Sequence, residues 1–465
     1  MKTLKQSKGN MTLVIAPALF FLALLTLISS CSPSKQLSKK ADSMLLQDSA
    51  ISSGHIGISI YEPATGKYWY NHNAEQYFIP ASNTKLFSLY AGLKFLGDSL
   101  VGLRYYKQND TLYALATGDP TFLHPDFLQQ PVADFLLADT IPVKFCSSGQ
   151  WRDEKFGPGW AWDDYNSEDM TEKSPLPVYG NLMKIGFRSS KISATMSSSD
   201  SVTVRSIDLY YPKTIRFTRE LKVNDNLKHV SITRQTDANH LEIAFPDKTI
   251  SAEESIPFIT NGMRTALQIL RGSYQVVDTG VAGYNIPPSA CTVIHSRPSD
   301  SLFIPMMKRS DNFFAEQTLL MASNEHLGYM SGRTLIDSLL RNELKDVPQK
   351  PKWVDGSGLS RYNLFTPQSF VYILKKMSDE FGLDRLKTIL ATGGQGTLRN
   401  YYKSDSSYIF AKTGTLSNNC ALSGFLITNS GKTLIFSILA NNYMTGAGPV
   451  RRATERFLAD LRKNY

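Results

Sequence analysis

A block of short strand-like segments interrupts a chain in which helix-like and strand-like segments otherwise alternate. Residues 42–103 and 287–465 show the mixed pattern, whereas residues 104–286 contain short apolar runs separated by turn residues. Val202–Val204 and Leu241–Phe245 are two of these runs. Because the mixed pattern resumes after the block, we expect an α/β (α+β) domain whose chain leaves into inserted, largely β material and then returns.

The flanking segments predict a sheet with helices packed on it. Ile56, Ile58 and Ile60 alternate with other residues, which is typical of a strand with one buried face. Segments 421–428 and 433–440 are apolar and are joined by a turn-forming Asn-Ser-Gly-Lys sequence, which favours a hairpin. Apolar residues at helical spacing predict three helices, near 86–96, 312–322 and 450–461.

The first residues have the pattern of a processing segment. Three lysines precede an apolar stretch from Met11 to Ile28, and two serines then lead to Cys31. These flanks are typical of a cleaved signal peptide and not of a spanning helix. The residues that end at Cys31 resemble a bacterial lipobox, which implies a lipidated N-terminus at Cys31, and an ordinary signal peptide is the alternative. Residues 32–41 are polar, and we interpret them as a flexible tether.

Charge and cysteine usage exclude some classes of function. The net charge of +9 favours anionic surroundings, but no dense basic run with interleaved aromatics indicates nucleic-acid binding. After Cys31 only Cys146, Cys291 and Cys420 remain, so at most one disulfide can form within the chain. No spacing of histidine with cysteine or glutamate indicates a metal site, and no cofactor is implied.

Three short motifs occur in an order that has chemical meaning. Ser82–Lys85 reads S-x-x-K at the start of a predicted helix, residues 310–312 read S-D-N, and residues 412–414 read K-T-G. The first motif alone is weak, because the same pattern also occurs at Ser32–Lys35 in the predicted tether. Each motif by itself is compatible with a plain helix start or strand end. All three in order, each on a suitable element, favour a catalytic site.

These residue types suit nucleophilic acyl transfer. A serine hydroxyl such as Ser82 needs a base, and Lys85 lies one helical turn away on the same face. A lysine accepts a proton only when it is neutral, so its pKa must be lowered by burial or by a second cation. We expect Lys412 to supply that second charge.

The remaining motif residues are candidates for proton transfer and substrate binding. Ser310 is placed to relay a proton to the leaving amine, and Asn312 to hold an amide oxygen of the substrate. Lys412 and Thr413 are candidates to bind a carboxylate, and Gly414 allows close approach of the backbone. The backbone N–H groups of Ser82 and Thr415 are candidate donors to an oxyanion.

The motif order is that of the β-lactamases and penicillin-binding proteins. Ser82 and Ser310 are 228 residues apart, a far longer gap than in class A β-lactamases. This chain therefore resembles the class C low-molecular-mass penicillin-binding proteins, the D-Ala-D-Ala carboxypeptidases/endopeptidases of the penicillin-binding protein 4 type. Four further segments match family motifs: T-G-D-P-T at 117–121, G-W-A-W-D-D at 159–164, D-G-S-G-L-S-R at 355–361 and G-T-L-R at 396–399.

The resemblance implies a serine β-lactamase/transpeptidase-like domain, an antiparallel sheet flanked by helices, with two nested inserted domains. The expected boundaries are 1–30 for the signal peptide, 31–41 for the lipid-anchored tether, 42–103 with 287–465 for the catalytic domain, 104–190 with 258–286 for the first inserted domain, and 191–257 for the second. Asp164 matches a family position near the amino end of the substrate, and a structural turn aspartate is an equal alternative. Thr117 departs from the family motif, where a glycine is usual.

The resemblance also implies an activity and a location. We expect a serine-type D-Ala-D-Ala carboxypeptidase/endopeptidase that acts on peptidoglycan stem peptides and cross-links and is acylated by β-lactams at Ser82. A membrane-anchored periplasmic lipoprotein follows from the lipobox, with no nucleic-acid partner. Two alternatives stay open: a β-lactamase, and a catalytically silent lipoprotein that binds the wall or senses antibiotics.

Overall fold

The structure is a computed structural model that describes residues 33–146, 150–193, 201–277 and 290–465. The predicted signal peptide and Cys31 lie outside the described residues. The described strands, in chain order, are β1 His55–Glu62, β2 Lys67–His72, β3 Ser99–Gln108, β4 Thr111–Leu115, β5 Val143–Cys146, β6 Leu182–Ser193, β7 Ser201–Tyr211, β8 Thr218–Val223, β9 Ser231–Arg234, β10 His240–Phe245, β11 Ile250–Pro257, β12 Thr292–Pro298, β13 Ala391–Thr392, β14 Ile409–Leu416, β15 Asn419–Ile427 and β16 Thr433–Asn441.

The described α-helices connect or cover these strands. In chain order they are α1 Pro33–Ala41, α2 Lys85–Phe95, α3 Pro131–Ala138, α4 Arg264–Arg271, α5 Asp300–Lys308, α6 Asn312–Leu327, α7 Gly332–Arg341, α8 Pro367–Phe381, α9 Leu383–Ile389 and α10 Ala447–Asn464. None of the helices in these ranges is long and apolar enough to cross a membrane.

A six-stranded antiparallel sheet forms the centre of the molecule, in the order β13-β14-β15-β16-β1-β2. Helices α2, α6 and α8 pack on one face through a cluster that includes Phe87, Phe314 and Phe425. Helices α1 and α10 pack on the other face, where Phe457 meets Phe436 and its neighbours. The predicted antiparallel sheet flanked by helices is therefore confirmed.

Strand β1 differs from the expectation of one buried face. Residues 56–60 are all buried, because helices cover both faces of the sheet and leave neither in water. The predicted hairpin of 421–428 and 433–440 is present as β15 and β16, paired from Asn419 opposite Asn441 to Ile427 opposite Thr433.

The flexible tether predicted for residues 31–41 is wrong over Pro33–Ala41, which form α1. Leu37, Ala41 and Leu45 are spaced by four residues and are no more than 1% exposed. Such spacing places them on one helical face, which packs into the same cluster as α10. Lys40 also forms an ion pair of 3.0 Å with Asp460 on that helix.

The block between β2 and β13 contains three further sheets: β12-β3-β4-β5, β11-β6-β7 and β8-β10-β9. The predicted boundary at 103/104 falls inside β3, and β12, predicted to lie in the catalytic domain, pairs with β3. The predicted boundary at 190/191 falls inside β6, which pairs with both β7 and β11. One buried cluster joins all three of these sheets, with Leu112, Phe187 and Phe245 among its members.

Candidate active site

Ser82 lies on a short 3-10 helix, Ala81–Thr84, that leads directly into α2. Ala81 has φ of 47°, a left-handed conformation that is unfavourable for a residue with a side chain. Thr84 holds this turn by donating its hydroxyl to the Ala81 carbonyl over 2.9 Å. Asn83 ties it to the central sheet, since its Nδ2 donates to Ser423 Oγ over 2.7 Å. Ser82 is thus half-buried on a strained turn held from two sides.

Lys85 is the buried base candidate next to Ser82. Its Nζ lies 3.0 Å from Ser82 Oγ and 2.6 Å from Asn312 Oδ1, and it donates to the Ser357 carbonyl over 2.8 Å. Burial lowers the pKa of Lys85 to about 8, although nearby carboxylates, Asp355 first, act in the opposite direction. A larger neutral fraction near neutral pH follows, and this is the form that accepts a proton.

Lys412 and Ser310 form the second lysine–serine pair. Lys412 is fully buried on β14, and its Nζ donates to Ser310 Oγ and to the Thr413 carbonyl, each over 2.7 Å. Ser310 has φ of 68°, and the next residue, Asp311, caps α6. Burial first, and then the charge of Lys85, holds the pKa of Lys412 well below its ordinary value.

Burial is the first cause of the lowered pKa of both lysines. The charge of Lys412 was expected to lower the pKa of Lys85. Repulsion between two buried ammonium groups acts on both partners, and the charge of Lys85 is the second cause of the lowered pKa of Lys412.

Asn312 connects Lys85 to Asp169 by hydrogen bonds of its side-chain amide. Its Oδ1 accepts from Lys85, while its Nδ2 donates to the backbone carbonyl of Asp169 over 3.1 Å. Nδ2 also donates to Asp169 Oδ1 over 3.5 Å, so both hydrogen bonds of this amide nitrogen go to Asp169. Asp169 comes from the inserted block and follows the short 3-10 helix that contains Asp164.

The D-G-S-G-L-S-R segment provides the Ser357 carbonyl that accepts a hydrogen bond from Lys85. Asp355 accepts hydrogen bonds from the backbone N–H groups of Gly358 and Ser360 and from the side chains of Asn363 and Trp160. These bonds hold the loop so that the Ser357 carbonyl faces Lys85. Trp160 belongs to the G-W-A-W-D-D segment, so two motifs noticed in the sequence meet at one carboxylate.

Glu316 lies one turn after Asn312 on α6 and is 4% exposed. Its Oε1 accepts from the backbone N–H of Ser357 over 2.7 Å, so the same peptide segment contacts both Glu316 and Lys85. Burial, together with the nearby charge of Asp355, raises the pKa of Glu316 to about 7.

Strand β14 passes directly beside the Ser82 turn. A Cβ on Gly414 would lie 2.5 Å from the Pro80 carbonyl oxygen and 3.1 Å from the Ser82 nitrogen. Only glycine fits this approach. Strand β13 covers β14 only at Phe410 and Ala411, so residues from Lys412 onward have no partner on that side among the described strands.

A cavity of about 430 Å³ opens over these groups. It is lined by Ser82, Ser310, Asn312, Thr413 and Thr415, among others. The described lining includes one carboxylate, Asp169, and does not include Asp164, which is exposed. The structure thus brings together all the predicted motif residues around one cavity, with Lys85, Lys412 and Gly414 directly behind its wall, and leaves Asp164 outside.

The described residues hold no group of three His, Cys, Asp or Glu side chains that could bind a metal ion. Within the same ranges, Cys146 and Cys420 are free thiols.

Residues 37–461 match the model of the D-Ala-D-Ala carboxypeptidase 3 (S13) family. The chain belongs to this family. A D-alanyl-D-alanine carboxypeptidase of Actinomadura is 25% identical over 453 residues, which cover 89% of this chain and 82% of the relative. A carboxypeptidase of Mycolicibacterium smegmatis is 30% identical over 182 residues, covering 36% of this chain and 38% of the relative.

Solved structures agree on the fold. The crystal structure of penicillin binding protein 4 from Haemophilus influenzae superimposes with a TM-score of 0.68 at 20% identity, covering 92% of this chain and 99% of that one. The same protein complexed with a novel β-lactam has a TM-score of 0.66 at 18% identity, with the same coverage. The predicted fold class and the predicted D-Ala-D-Ala carboxypeptidase activity are confirmed, and this member of the family is a peptidase.

Sequence reasoning missed several residues that shape the site of this carboxypeptidase. Glu316 carries a detectable signature, since it follows Asn312 by four residues and must share its helical face. Asp355 and Ser357 were noticed only as parts of a family motif. Asp169 and Arg451 carry no local signature, because distant segments bring them to the cavity.

Proposed function

We propose that this family member cleaves the terminal D-Ala-D-Ala bond of peptidoglycan stem peptides through an ester on Ser82. The observation that carries the proposal is the buried Lys85 amine 3.0 Å from Ser82 Oγ, with a pKa of about 8. A nucleophile within hydrogen-bond reach of a base with a lowered pKa is the arrangement that covalent catalysis requires.

In the acylation step, neutral Lys85 accepts the Ser82 hydroxyl proton while Oγ attacks the carbonyl carbon of the penultimate D-alanine. The C–N bond then breaks. The proton that Lys85 accepted passes by way of the Ser310 hydroxyl, which Lys412 holds at 2.7 Å, to the leaving amine, so Lys85 is neutral again. Water subsequently attacks the ester, so the products are the shortened peptide and free D-alanine, with Ser82 regenerated.

The free edge of β14 supports the proposed binding mode. An extended peptide placed beside Thr413 adds a strand to the sheet. The Asn312 Nδ2 then donates to the substrate amide oxygen in place of its 3.5 Å hydrogen bond to Asp169 Oδ1. The backbone N–H groups of Ser82 and Thr415 are the proposed oxyanion donors. Beside Asn312 the cavity is lined by Asp169, so we assign the amino end of the substrate to Asp169 and not to Asp164.

A fluorescent penicillin tests the nucleophile. Wild-type protein should be labelled covalently, whereas Ser82→Ala should not be. Ser430→Ala, a change in the exposed β15–β16 turn, should be labelled like wild type. Normal labelling of the Ser82 variant would show that another group is the nucleophile, and absence of label on the wild type would contradict the function.

We also propose that the same site cleaves peptide cross-links. Beyond Ala411, β14 has no strand partner among the described strands, and this unpaired edge is where we place the second peptide chain on the leaving amine. Digestion of purified cell wall, with products identified by mass, should release D-alanine and convert cross-linked dimers to monomers. Release of D-alanine with dimers left intact would restrict the enzyme to carboxypeptidase activity.

We further propose that the protein is a lipoprotein of the bacterial envelope, anchored in the periplasm through Cys31. The apolar stretch ending in Leu27-Ile28-Ser29-Ser30-Cys31 supports this. Cys31→Ser should release the protein from the membrane fraction or block its processing, whereas Cys291→Ser should do neither. Normal processing and membrane retention of the Cys31 variant would refute the anchor.

A further inference from the structure

The start of α1 lies close to the proposed lipid anchor. Cys31 precedes Pro33, the first residue of α1, by two residues, a stretch of chain that spans at most about 7 Å. Helix α1 belongs to the folded domain, because Leu37 and Ala41 pack into the same core cluster as α10. The headgroup layer of a bilayer is itself only about 5–8 Å thick. Acyl chains on Cys31 would therefore hold the folded domain directly at the headgroups.

Two ion pairs show the direction of α1 relative to α10. Lys40 pairs with Asp460 over 3.0 Å, and Asp48, which follows α1, pairs with Arg456 over 2.7 Å. Moving backward along the first segment thus means moving forward along α10, so the two segments are antiparallel. The start of α1 consequently lies toward the end of α10, where Lys463 is in the last turn.

The end of α10 is also joined to the β15–β16 turn. The backbone N–H of Asn429 donates to the Arg462 carbonyl over 2.9 Å, and that of Ser430 donates to the Tyr465 carbonyl over 3.2 Å. Lys432 follows in the same turn. The start of α1, the end of α10 and this turn together form one surface, which we call the anchor end: residues 33–39, 462–465 and 429–432.

Four lysines are exposed on the anchor end: Lys35, Lys39, Lys432 and Lys463. Lys35 and Lys39 are four residues apart, so they share a helical face, and it is not the face that Leu37 buries. None of the four forms an ion pair within the described ranges. Counting exposed Asp42 and the carboxyl group of Tyr465 against them still leaves a surplus of positive charge.

We propose that the anchor end lies against anionic lipid headgroups, with these four lysines in contact with lipid phosphate, and that this contact fixes the orientation of the enzyme on the membrane. This orientation rests on the proposed lipid anchor at Cys31. Each lysine near an anionic membrane surface strengthens the contact about fivefold, so four lysines suffice to hold one orientation of a protein that is already anchored.

The orientation separates the catalytic cavity from the lipid. Arg451, which lines the cavity, and Lys463 are 12 residues apart on α10, which is about 18 Å along the helix. Helix α10 would thus act as a spacer of up to about 18 Å between the headgroups and the cavity.

Amine labelling of the lipidated protein tests the orientation. The mature protein is reconstituted on vesicles of equal parts phosphatidylglycerol and phosphatidylcholine, and the labelling rate of each lysine is read by mass. The four lysines of the anchor end should react at least about fivefold more slowly than in detergent. Lys228, Lys248 and Lys345, exposed elsewhere, should react equally in both. The protection should disappear on phosphatidylcholine alone and at about 1 M salt, where the Debye length is about 3 Å.

Two triple variants test the role of charge. Lys35→Gln, Lys39→Gln and Lys463→Gln together should weaken the contact about 100-fold. Lys432 should then react as fast as the control lysines. The matched variant with glutamine at the three control positions loses the same charge and should keep Lys432 protected. Penicillin should acylate both variants like wild type, which checks that they fold.

The outcomes separate the orientation from the anchor. Equal labelling of all these lysines on vesicles that retain the protein would overturn the orientation and leave the anchor standing. Protection by purified cell wall and not by vesicles would assign the anchor end to the wall and equally overturn the orientation. If the mature protein does not stay with the vesicles, the proposed anchor has failed and the orientation fails with it.

Discussion

The acylation rate should depend on pH through Lys85. With a pKa of about 8 in place of 10.5, about a tenth of Lys85 is neutral at about pH 7, compared with about three in ten thousand for an exposed lysine. Burial therefore enriches the reactive form about 300-fold. The rate should rise with pH, reach half of its plateau near pH 8, and be level well below the pH at which a free lysine titrates.

Replacing Lys85 by methionine removes the amine and keeps the length of the side chain. General-base catalysis typically contributes about 10²- to 10⁴-fold, so Lys85→Met should lose that much of the acylation rate, along with the pH-dependent rise. The variant should fold. The Asn312 and Ser357 oxygens each lose a donor, at a cost of about 1–3 kcal/mol, but a buried amine no longer has to be desolvated.

The assay is the rate of penicillin acylation from about pH 6 to about pH 10, with thermal melting of each protein as the check on folding. Lys94→Met is the matched control, because Lys94 lies on the same helix with its ammonium at the surface beside Glu380. Its profile should coincide with that of wild type. If Lys85→Met acylates within about tenfold of wild type, or still shows a rise near pH 8, the base is another group and the roles of both lysines must be reassigned.

Three further outcomes follow from the same geometry. Glu316→Gln removes a negative charge that raises the pKa of Lys85, so the rise in acylation should move below pH 8; a move upward would contradict this. The pKa of Lys85 is about 8 in the folded protein and 10.5 in the unfolded chain. Between these two values the unfolded chain binds one proton more than the folded protein. The free energy of unfolding therefore has its lowest contribution from Lys85 below pH 8 and increases as the pH rises to 10.5. In urea unfolding, the free energy of unfolding of wild type should therefore rise by on the order of 3 kcal/mol relative to that of Lys85→Met across this pH range. A difference that stays constant with pH would refute the lowered pKa of Lys85. Gly358 and Gly431 both have φ of 82°, but a Cβ would lie 1.9 Å from the Ala81 carbonyl oxygen at Gly358 and would meet nothing within 4 Å at Gly431. Gly431→Ala should lower the free energy of unfolding by about 1 kcal/mol, and Gly358→Ala should lower it by at least about 2 kcal/mol more. Acylation should be lost only in Gly358→Ala. Equal losses of stability would show that the Ser82 turn does not require the close approach of Gly358.

The catalytic motifs were predictable because each is local. Ser82 and Lys85 share a helical face through their spacing alone, and the K-T-G glycine marks a strand that another backbone approaches closely. The central antiparallel sheet was predictable for the same reason, since a hairpin such as β15–β16 is specified by two apolar runs and the turn between them.

Features that depend on distant segments were not predictable. The sequence of strand β1 predicts a single buried face, and the strand is buried on both faces only because helices pack on both sides of the sheet. The segment predicted as a tether forms α1, because its short apolar face, which would not stabilise a helix in isolation, packs against α10. Asp169 and Arg451, about 280 residues apart in sequence, face one cavity only because the inserted block and the last helix fold against the same sheet.

The sequence by itself thus determined the reacting groups of this carboxypeptidase and the sheet that carries them, because hydrogen-bonding chemistry and residue spacing are properties of neighbours along the chain. The tertiary structure alone decided how those groups are tuned. Lys85 has a lowered pKa because the folded core buries its amine completely and removes water from the ammonium form. No local pattern reports how completely a side chain will be buried.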